Sequence, residues 1–138
     1  MFKFFYCFLA LFLFIGLTNA QHVARKGKDY ALFFANDDYS DNPAFGDLKN
    51  PRRDAGAIAK ELEENFGFEI EMHENIDLDS MFSVLDYWKK RVFNAGDQLF
   101  IFLSGHGTLR SRTDKGYFVP KANEDDFSHY LDLTDLRN

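Results

Sequence analysis

The sequence has 138 residues, with 16 basic and 22 acidic side chains and a formal net charge of −6. This negative balance argues against nucleic acid and anionic membrane surfaces as partners, because both attract cationic proteins. A chain of this length is expected to form one domain. Its single cysteine is Cys7, so no disulfide bond within the chain is expected.

The first twenty residues have the three-part pattern of a secretory signal peptide. An apolar run from Phe4 to Leu17 follows the positive charge of Lys3, and Thr18 and Ala20 suit the positions before a cleavage site. A membrane anchor is the alternative, but it needs about twenty apolar residues and this run is shorter. We therefore expect cleavage after Ala20 and a secreted chain of residues 21–138 that has no membrane association.

The next part of the chain predicts a strand, a long loop and a helix. Residues 21–29 are polar and basic, and precede the apolar run Tyr30–Phe34, which is typical of a buried strand. Residues 35–50 form a loop rich in Asp, Asn and Gly, and loops of this length are often functional. Asn50 can cap the helix that follows, and Gly67 can end it.

Two more strands and another helix follow in alternation. Phe68–His73 alternates apolar and polar residues, which predicts a strand at or near a sheet edge. Asp77 can cap a second helix, whose apolar stripe extends to Val92. Leu99–Leu103 is apolar at every position, as a central strand covered on both faces should be. This order predicts a three-layer α/β/α sandwich with a mostly parallel sheet.

Candidate functional residues follow the first and the last of these strands. In open α/β sheets, sites form beyond the carboxyl ends of the strands. Asp37 and Asp38 follow the first strand, and Ser104, His106 and Gly107 follow the last. A histidine can exchange a proton near neutral pH, and the flanking glycines let the backbone turn and bring its N–H groups close to a ligand.

Five segments of the sequence carry a family resemblance. They lie between residues 30 and 126 and read YALFFANDDY, LKNPRRDAGAIAKELEENFGFEI, ENIDLDSMFSVL, AGDQLFIFLSGHG and GYFVPKANED. In this order they resemble the N-terminal part of the catalytic domain of caspase-like cysteine proteases, closest to the metacaspase and bacterial branch. The resemblance implies a caspase-like fold and a peptide or protein substrate. It also assigns the catalytic histidine to His106 and an oxyanion-hole N–H to Gly107.

The same resemblance implies a nucleophile that this sequence does not contain. In the family it is a cysteine after the next core strand, and the caspase histidine lies about 50 residues before it, which gives roughly position 156. We therefore expect residues 30–138 to be a catalytic domain truncated before its nucleophile, with Thr134 capping the start of a further helix. Such a chain carries only the histidine half of a Cys–His dyad and is expected to be inactive alone.

The substrate-binding residues are expected at the same sheet edge. Asp37, Asp38 and Ser104 are the candidates, and the acidic side chains favour cleavage after Arg or Lys. The net charge of −7 for residues 21–138 also favours a cationic peptide. The resemblance to metacaspases agrees with this preference, although the sequence does not indicate which aspartate points inward.

No metal or other cofactor is assigned from the sequence. No histidine has a Cys or His partner at the spacing of a zinc site. Metacaspases often bind calcium through aspartates after the histidine, but Ala122 stands at the usual aspartate position. Glu124, Asp125 and Asp126 could compensate, because calcium prefers carboxylate oxygens. A solvated acidic turn is the favoured interpretation, so calcium remains an open alternative.

Two other functions remain open at this stage. One is a catalytically inactive caspase-like module that binds a partner. The other is a flavodoxin-like domain that binds an anion at the turn of residues 104–107. The sequence does not indicate the oligomeric state.

Overall fold

The computed structural model describes residues 26–137, so the predicted signal peptide lies outside the described residues. Strands and helices alternate through the first part, and short elements complete the chain. The larger elements are β1 (Asp29–Ala35), α1 (Pro51–Phe66), β2 (Glu69–Glu74), α2 (Leu78–Lys89) and β3 (Gln98–Ser104). The smaller ones are β4 (Gly107–Arg110), β5 (Lys115–Phe118), β6 (Leu131–Asp132) and 3-10 turns at Phe127–His129 and Asp135–Arg137. Neither helix in this part has the length and apolarity to cross a bilayer.

The first three strands form a parallel sheet in the order β2–β1–β3. Successive side chains of a strand point to opposite faces, and β1 is apolar on both. One face of β1 packs against Met81 and Trp88 of α2, and the other packs against Ala55 and Ala59 of α1. The predicted α/β/α sandwich with a parallel sheet is therefore confirmed.

The position of β3 differs from the prediction. In the described part of the chain, β1 is the central strand, and β3 pairs with β1 alone. Phe33 of β1 has no exposed surface, whereas Phe100 of β3 is 40% exposed. An apolar run indicates that both faces can be covered, but it does not determine how many strands pair with its edges.

The ends of the two helices test the capping predictions. Gly67 ends α1 with a left-handed φ of 72°, and the Asp77 carboxylate accepts the Ser80 N–H at the start of α2. Both predictions are confirmed. The Asn50 side chain makes no capping hydrogen bond. Val92 lies beyond the last turn of α2 and is 87% exposed, so the predicted apolar stripe is too long.

The sequence prediction missed a second, antiparallel sheet after His106. Its strands have the order β4–β5–β6. Leu131 of β6 is fully buried and lies opposite Phe118 of β5. A single 3-10 turn, Asp135–Arg137, begins directly after Thr134, where the sequence predicted a helix start. The Thr134 N–H and hydroxyl both donate to the Asp132 carboxylate just before it. Strands of only two to four residues have no detectable periodicity in the sequence.

Candidate active site

The carboxyl ends of β1 and β3 meet at one edge of the parallel sheet. The Asn36 N–H donates to the carbonyl of Ser104 over 2.8 Å. This bond joins the β1–α1 loop, residues 36–50, to the turn that carries His106. The predicted site residues therefore lie on two neighbouring segments, as expected for parallel strands.

The imidazole ring of His106 is held by the β1–α1 loop. Its Nε2 lies 2.7 Å from the carbonyl oxygen of Gly46. A carbonyl oxygen can only accept a hydrogen bond, so Nε2 carries the proton, and in the neutral ring Nδ1 carries the lone pair. The rings of Tyr39 and Phe45 contact the imidazole, with centroids 4.6 and 4.9 Å away. The loop thus fixes both the tautomer and the orientation of the ring.

The backbone of His106 is held by the hydroxyl of Tyr39. The His106 N–H donates to this hydroxyl over 3.0 Å, and the hydroxyl donates to the Val119 carbonyl over 2.8 Å. Tyr39 is only 2% exposed. Burial raises the pKa of its hydroxyl to about 12, although the bond from the His106 N–H acts in the opposite direction. The group is therefore neutral and retains its proton at physiological pH.

The two glycines that flank His106 differ in the space available for a side chain. A Cβ at Gly105 would lie 2.6 Å from the Tyr39 hydroxyl and 3.0 Å from the Phe118 ring, so a side chain there forces these groups to shift. A Cβ at Gly107 would lie 3.6 Å from the Tyr117 carbonyl, which is ordinary contact. Space alone therefore favours glycine at position 105 but not at 107.

The N–H of Gly107 points away from β5. Val119 donates to the His106 carbonyl, so the next opposite pair, Gly107 and Phe118, is a non-hydrogen-bonded pair. Within the described residues β4 is an outer strand of its sheet. This orientation leaves the Gly107 N–H accessible to a ligand beside His106.

Asp37 is locked into the protein by its neighbours. Its side chain is 13% exposed, and its carboxylate accepts from Arg52 Nε at 2.6 Å and from Asn75 Nδ2 at 2.9 Å. The Asn75 side-chain oxygen in turn accepts the backbone N–H groups of Asp37 and Asp38. Burial raises the pKa of Asp37, but the bonds from Arg52 and Asn75 outweigh it and lower the pKa overall.

Asp38 lies nearer to solvent. Its side chain is 40% exposed and lies 2.6 Å from Lys121 Nζ. This bond, followed by the bond from Ser40, lowers the pKa of Asp38 to about 2. Lys121 also lines a cavity of about 580 Å³ whose wall does not include His106. The structure therefore groups Ser104, His106 and Gly107, and places each aspartate nearby in an ion pair of its own.

The acidic residues considered for calcium have other partners. Asp125 accepts the hydroxyl of Tyr130 at 2.8 Å, and Asp126 accepts the Ser128 N–H at 2.8 Å. Between residues 26 and 137, no three His, Cys, Asp or Glu side chains converge into a group that could hold a metal ion. The donor set on Glu124, Asp125 and Asp126 does not fit a shared calcium site.

Five residues that shape the site were not assigned to it from the sequence. Tyr39 and Phe45 are aromatic residues in a polar loop, and this contrast is a signal that they pack inward. Gly46 contributes only its carbonyl, which every residue has, so no signal in the sequence identifies it. Arg52 and Lys121, the partners of the two aspartates, are separated from them in sequence and become neighbours only in the fold.

Comparison with known proteins identifies the family of this domain. A family model described as a caspase domain matches residues 28–137. The match extends from the start of β1 to the last 3-10 turn and therefore covers most of the chain. No curated protein matches the chain. The resemblance seen in the sequence is confirmed, and the chain belongs to the caspase-domain family of peptidases, whose substrates are proteins or peptides.

Proposed function

We propose that this chain supplies the histidine half of the active site of a secreted cysteine endopeptidase. The family match supports a peptidase at the coarse level. The only cysteine, Cys7, lies in the predicted signal peptide. The nucleophilic thiol therefore comes from a polypeptide segment outside this sequence, positioned beside the turn that follows β3.

The hydrogen bond between His106 and Gly46 is the observation that carries the proposal. With Nε2 committed as a donor to the Gly46 carbonyl at 2.7 Å, the neutral ring offers only Nδ1 as a base. A thiol placed beside Nδ1 can transfer its proton there and become a thiolate. The carbonyl also accepts the hydrogen bond of the protonated ring, so the ring keeps its orientation in both states.

The reaction divides into two proton-balanced steps. In the first, Nδ1 takes the thiol proton, the thiolate attacks the peptide carbonyl carbon, and the imidazolium returns the proton to the leaving amine. This breaks the peptide bond and forms a thioester. In the second, Nδ1 takes a proton from water, the hydroxide attacks the thioester, and the returned proton regenerates the thiol. His106 acts as base and then acid in each step.

Gly107 stabilises the charge that develops on the substrate oxygen. Its N–H points away from β5 and lies directly after the histidine in the chain. A donor fixed by a β ladder needs no reorganisation when the oxyanion forms, and one such donor contributes about 10²–10³ in rate. Ser104, the last residue of β3, lies at the same edge and contacts the substrate beside the oxyanion.

The substrate carries a basic residue at the cleaved bond, and Asp38 recognises it. Asp37 is 13% exposed and held by Arg52 and Asn75, so a ligand does not displace its partners easily. Asp38 is 40% exposed, and its partner Lys121 has a flexible side chain. An arginine or lysine of the substrate replaces the Lys121 ammonium at Asp38, whereas a substrate aspartate meets like charge.

The first test measures turnover of the protein expressed from the complete reading frame. Fluorogenic peptides ending in Arg should be cleaved, and alkylation of the thiol should abolish cleavage. We expect His106→Ala to lower kcat by about 10²–10⁴-fold. His129→Ala, at an exposed histidine in a 3-10 turn, is the matched control and should retain activity.

Two results would contradict this proposal. One is near wild-type turnover in the His106→Ala protein. The other is turnover by pure residues 21–138, which contain no thiol. A complete reading frame that folds but cleaves nothing would instead favour the catalytically inactive binding module of the same family.

A second test addresses substrate charge. Peptides ending in Arg, Lys or Asp are compared on the wild-type protein and on Asp38→Ala, Asp37→Ala and Lys121→Met. We expect Asp38→Ala to lose most cleavage after Arg, and Lys121→Met to lower KM for the Arg peptide because the competing ammonium is gone. Preference for the Asp peptide, or unchanged cleavage after Arg in both aspartate variants, would overturn this part of the proposal.

A further inference from the structure

We infer that Tyr39 is a positioning residue for His106, acting through its hydroxyl on the backbone of the histidine. The inference rests on the proposed function, because it concerns the same histidine. Tyr39 lies in the β1–α1 loop, is 2% exposed, and follows directly after the two aspartates.

The hydroxyl of Tyr39 is inserted into the end of a β ladder. Opposite residues in a hydrogen-bonded antiparallel pair exchange two N–H···O bonds. Val119 donates to the His106 carbonyl at 2.9 Å, which is one of the two. In place of the other, the His106 N–H donates to Tyr39 at 3.0 Å, and Tyr39 donates to the Val119 carbonyl at 2.8 Å. The hydroxyl therefore sets the distance between the two backbone segments that pair at His106 and Val119.

The same loop also fixes the ring of His106. The Tyr39 N–H donates to the Asp47 carboxylate at 2.7 Å, which closes the loop next to Gly46. Gly46 then accepts from His106 Nε2, and the Tyr39 ring meets the imidazole nearly edge-on at 68°. Backbone and ring of the histidine are thus held by one closed unit of the loop, and Tyr39 takes part in both contacts.

Removal of the hydroxyl leaves two buried polar groups facing each other. In Tyr39→Phe the His106 N–H and the Val119 carbonyl either remain unpaired or close into a direct ladder bond. A direct bond requires the two groups to approach each other, which moves the histidine relative to Gly46. We expect kcat to fall by about 10- to 100-fold through this misplacement, with KM changed much less.

The decisive readout is nuclear magnetic resonance of the 138-residue chain, which requires no activity. In Tyr39→Phe we expect a large change in the His106 amide shift and a loss of the fixed Nε2–H tautomer in the ring ¹⁵N shifts. The signals of His73 and His129, which do not contact Tyr39, should stay in place and serve as internal references.

Tyr130→Phe is the matched control. Tyr130 is also buried, at 4% exposure, its pKa is likewise raised to about 12 by burial and by its bond to Asp125, and its hydroxyl makes no contact with His106. Tyr130→Phe should lower the free energy of unfolding by an amount comparable to Tyr39→Phe but leave the His106 signals unchanged. If Tyr39→Phe also leaves these signals unchanged, the inference is overturned.

A second variant serves if Tyr39→Phe does not fold. Gly105→Ala keeps the hydroxyl but places a methyl group 2.6 Å from it, so the hydroxyl must move. The same loss of the fixed ring tautomer of His106 is expected, and an unchanged tautomer would contradict the inference. The two proposals are separable: unchanged His106 signals overturn only the positioning role, whereas full turnover in His106→Ala overturns only the peptidase role.

Discussion

The two sides of the β1–α1 loop are held by different kinds of contact. On the side of His106, the contacts are aromatic rings and hydrogen bonds between neutral groups. On the other side, Asp37 and Asp38 form ion pairs with Arg52 and Lys121. Neutral contacts respond weakly to salt, whereas exposed ion pairs weaken with salt, with acid and with competing cations. The histidine side is thus suited to fixed geometry, whereas Asp38 on the other side is suited to exchange of one cation for another.

The largest expected effect on stability comes from filling the space beside His106. Gly105→Ala should lower the free energy of unfolding by about 1–3 kcal/mol, because its methyl group overlaps the Tyr39 hydroxyl and the Phe118 ring. Gly107→Ala is the matched control on the other side of the histidine. Its methyl group meets only the Tyr117 carbonyl at 3.6 Å, so little change is expected. Urea unfolding measures the free energy of unfolding of both variants. Equal losses would contradict close packing around His106.

On the ion-paired side, the two adjacent aspartates should differ in their contributions to stability. Asp37→Asn should cost about 1–2 kcal/mol, because it weakens the hydrogen bonds that the largely buried Asp37 carboxylate accepts from Arg52 and Asn75. Asp38→Asn should cost less, because Asp38 and Lys121 are 40% and 32% exposed. Urea unfolding again provides the measurement. A larger loss for Asp38→Asn would contradict the assignment of Asp37 to a structural role and of Asp38 to substrate binding.

Much of the fold could be predicted because it depends on local pattern. The apolar run of β1 is buried on both faces, Gly67 ends α1, and Asp77 caps α2, as their residue types require. The errors lie where neighbours in space decide. An apolar run did not indicate that β3 is the outer strand in the described residues, and helical periodicity did not indicate that α2 ends before Val92.

In the candidate site, too, the sequence predicted what depends on local pattern and missed what depends on contacts between distant residues. His106 and the two aspartates were placed at one edge of the sheet, because parallel strands bring their carboxyl ends together. The contacts that give them distinct environments come from Gly46, Arg52 and Lys121. A backbone carbonyl has no residue preference, and an ion pair between residues far apart in sequence has no periodicity. These features required the three-dimensional structure.

The smallest expected effect is the part of the acid dependence of stability that comes from Asp38, on the ion-paired side. The pKa of Asp38 is about 2 in the folded chain, because Lys121 and Ser40 stabilise its charged form. An aspartate in an unfolded chain has a pKa of about 3.9, so the stabilising contribution is complete above that pH. As the pH falls further, the folded protein resists protonation of Asp38, and the contribution is lost progressively toward the folded value of about 2.

This dependence can be measured as the urea midpoint at a series of acidic pH values. The midpoint of the wild-type chain should fall more steeply between about pH 4 and pH 2 than that of Asp38→Asn, which has no carboxylate to protonate at this position. Asp86→Asn, an exposed residue of α2 that forms no ion pair within residues 26–137, should leave the slope unchanged. The His106 amide signal should not move in Asp38→Asn, because neutral groups hold the histidine. An equal slope in wild type and Asp38→Asn, or a displaced His106 signal, would show that the two sides of the loop are not independent.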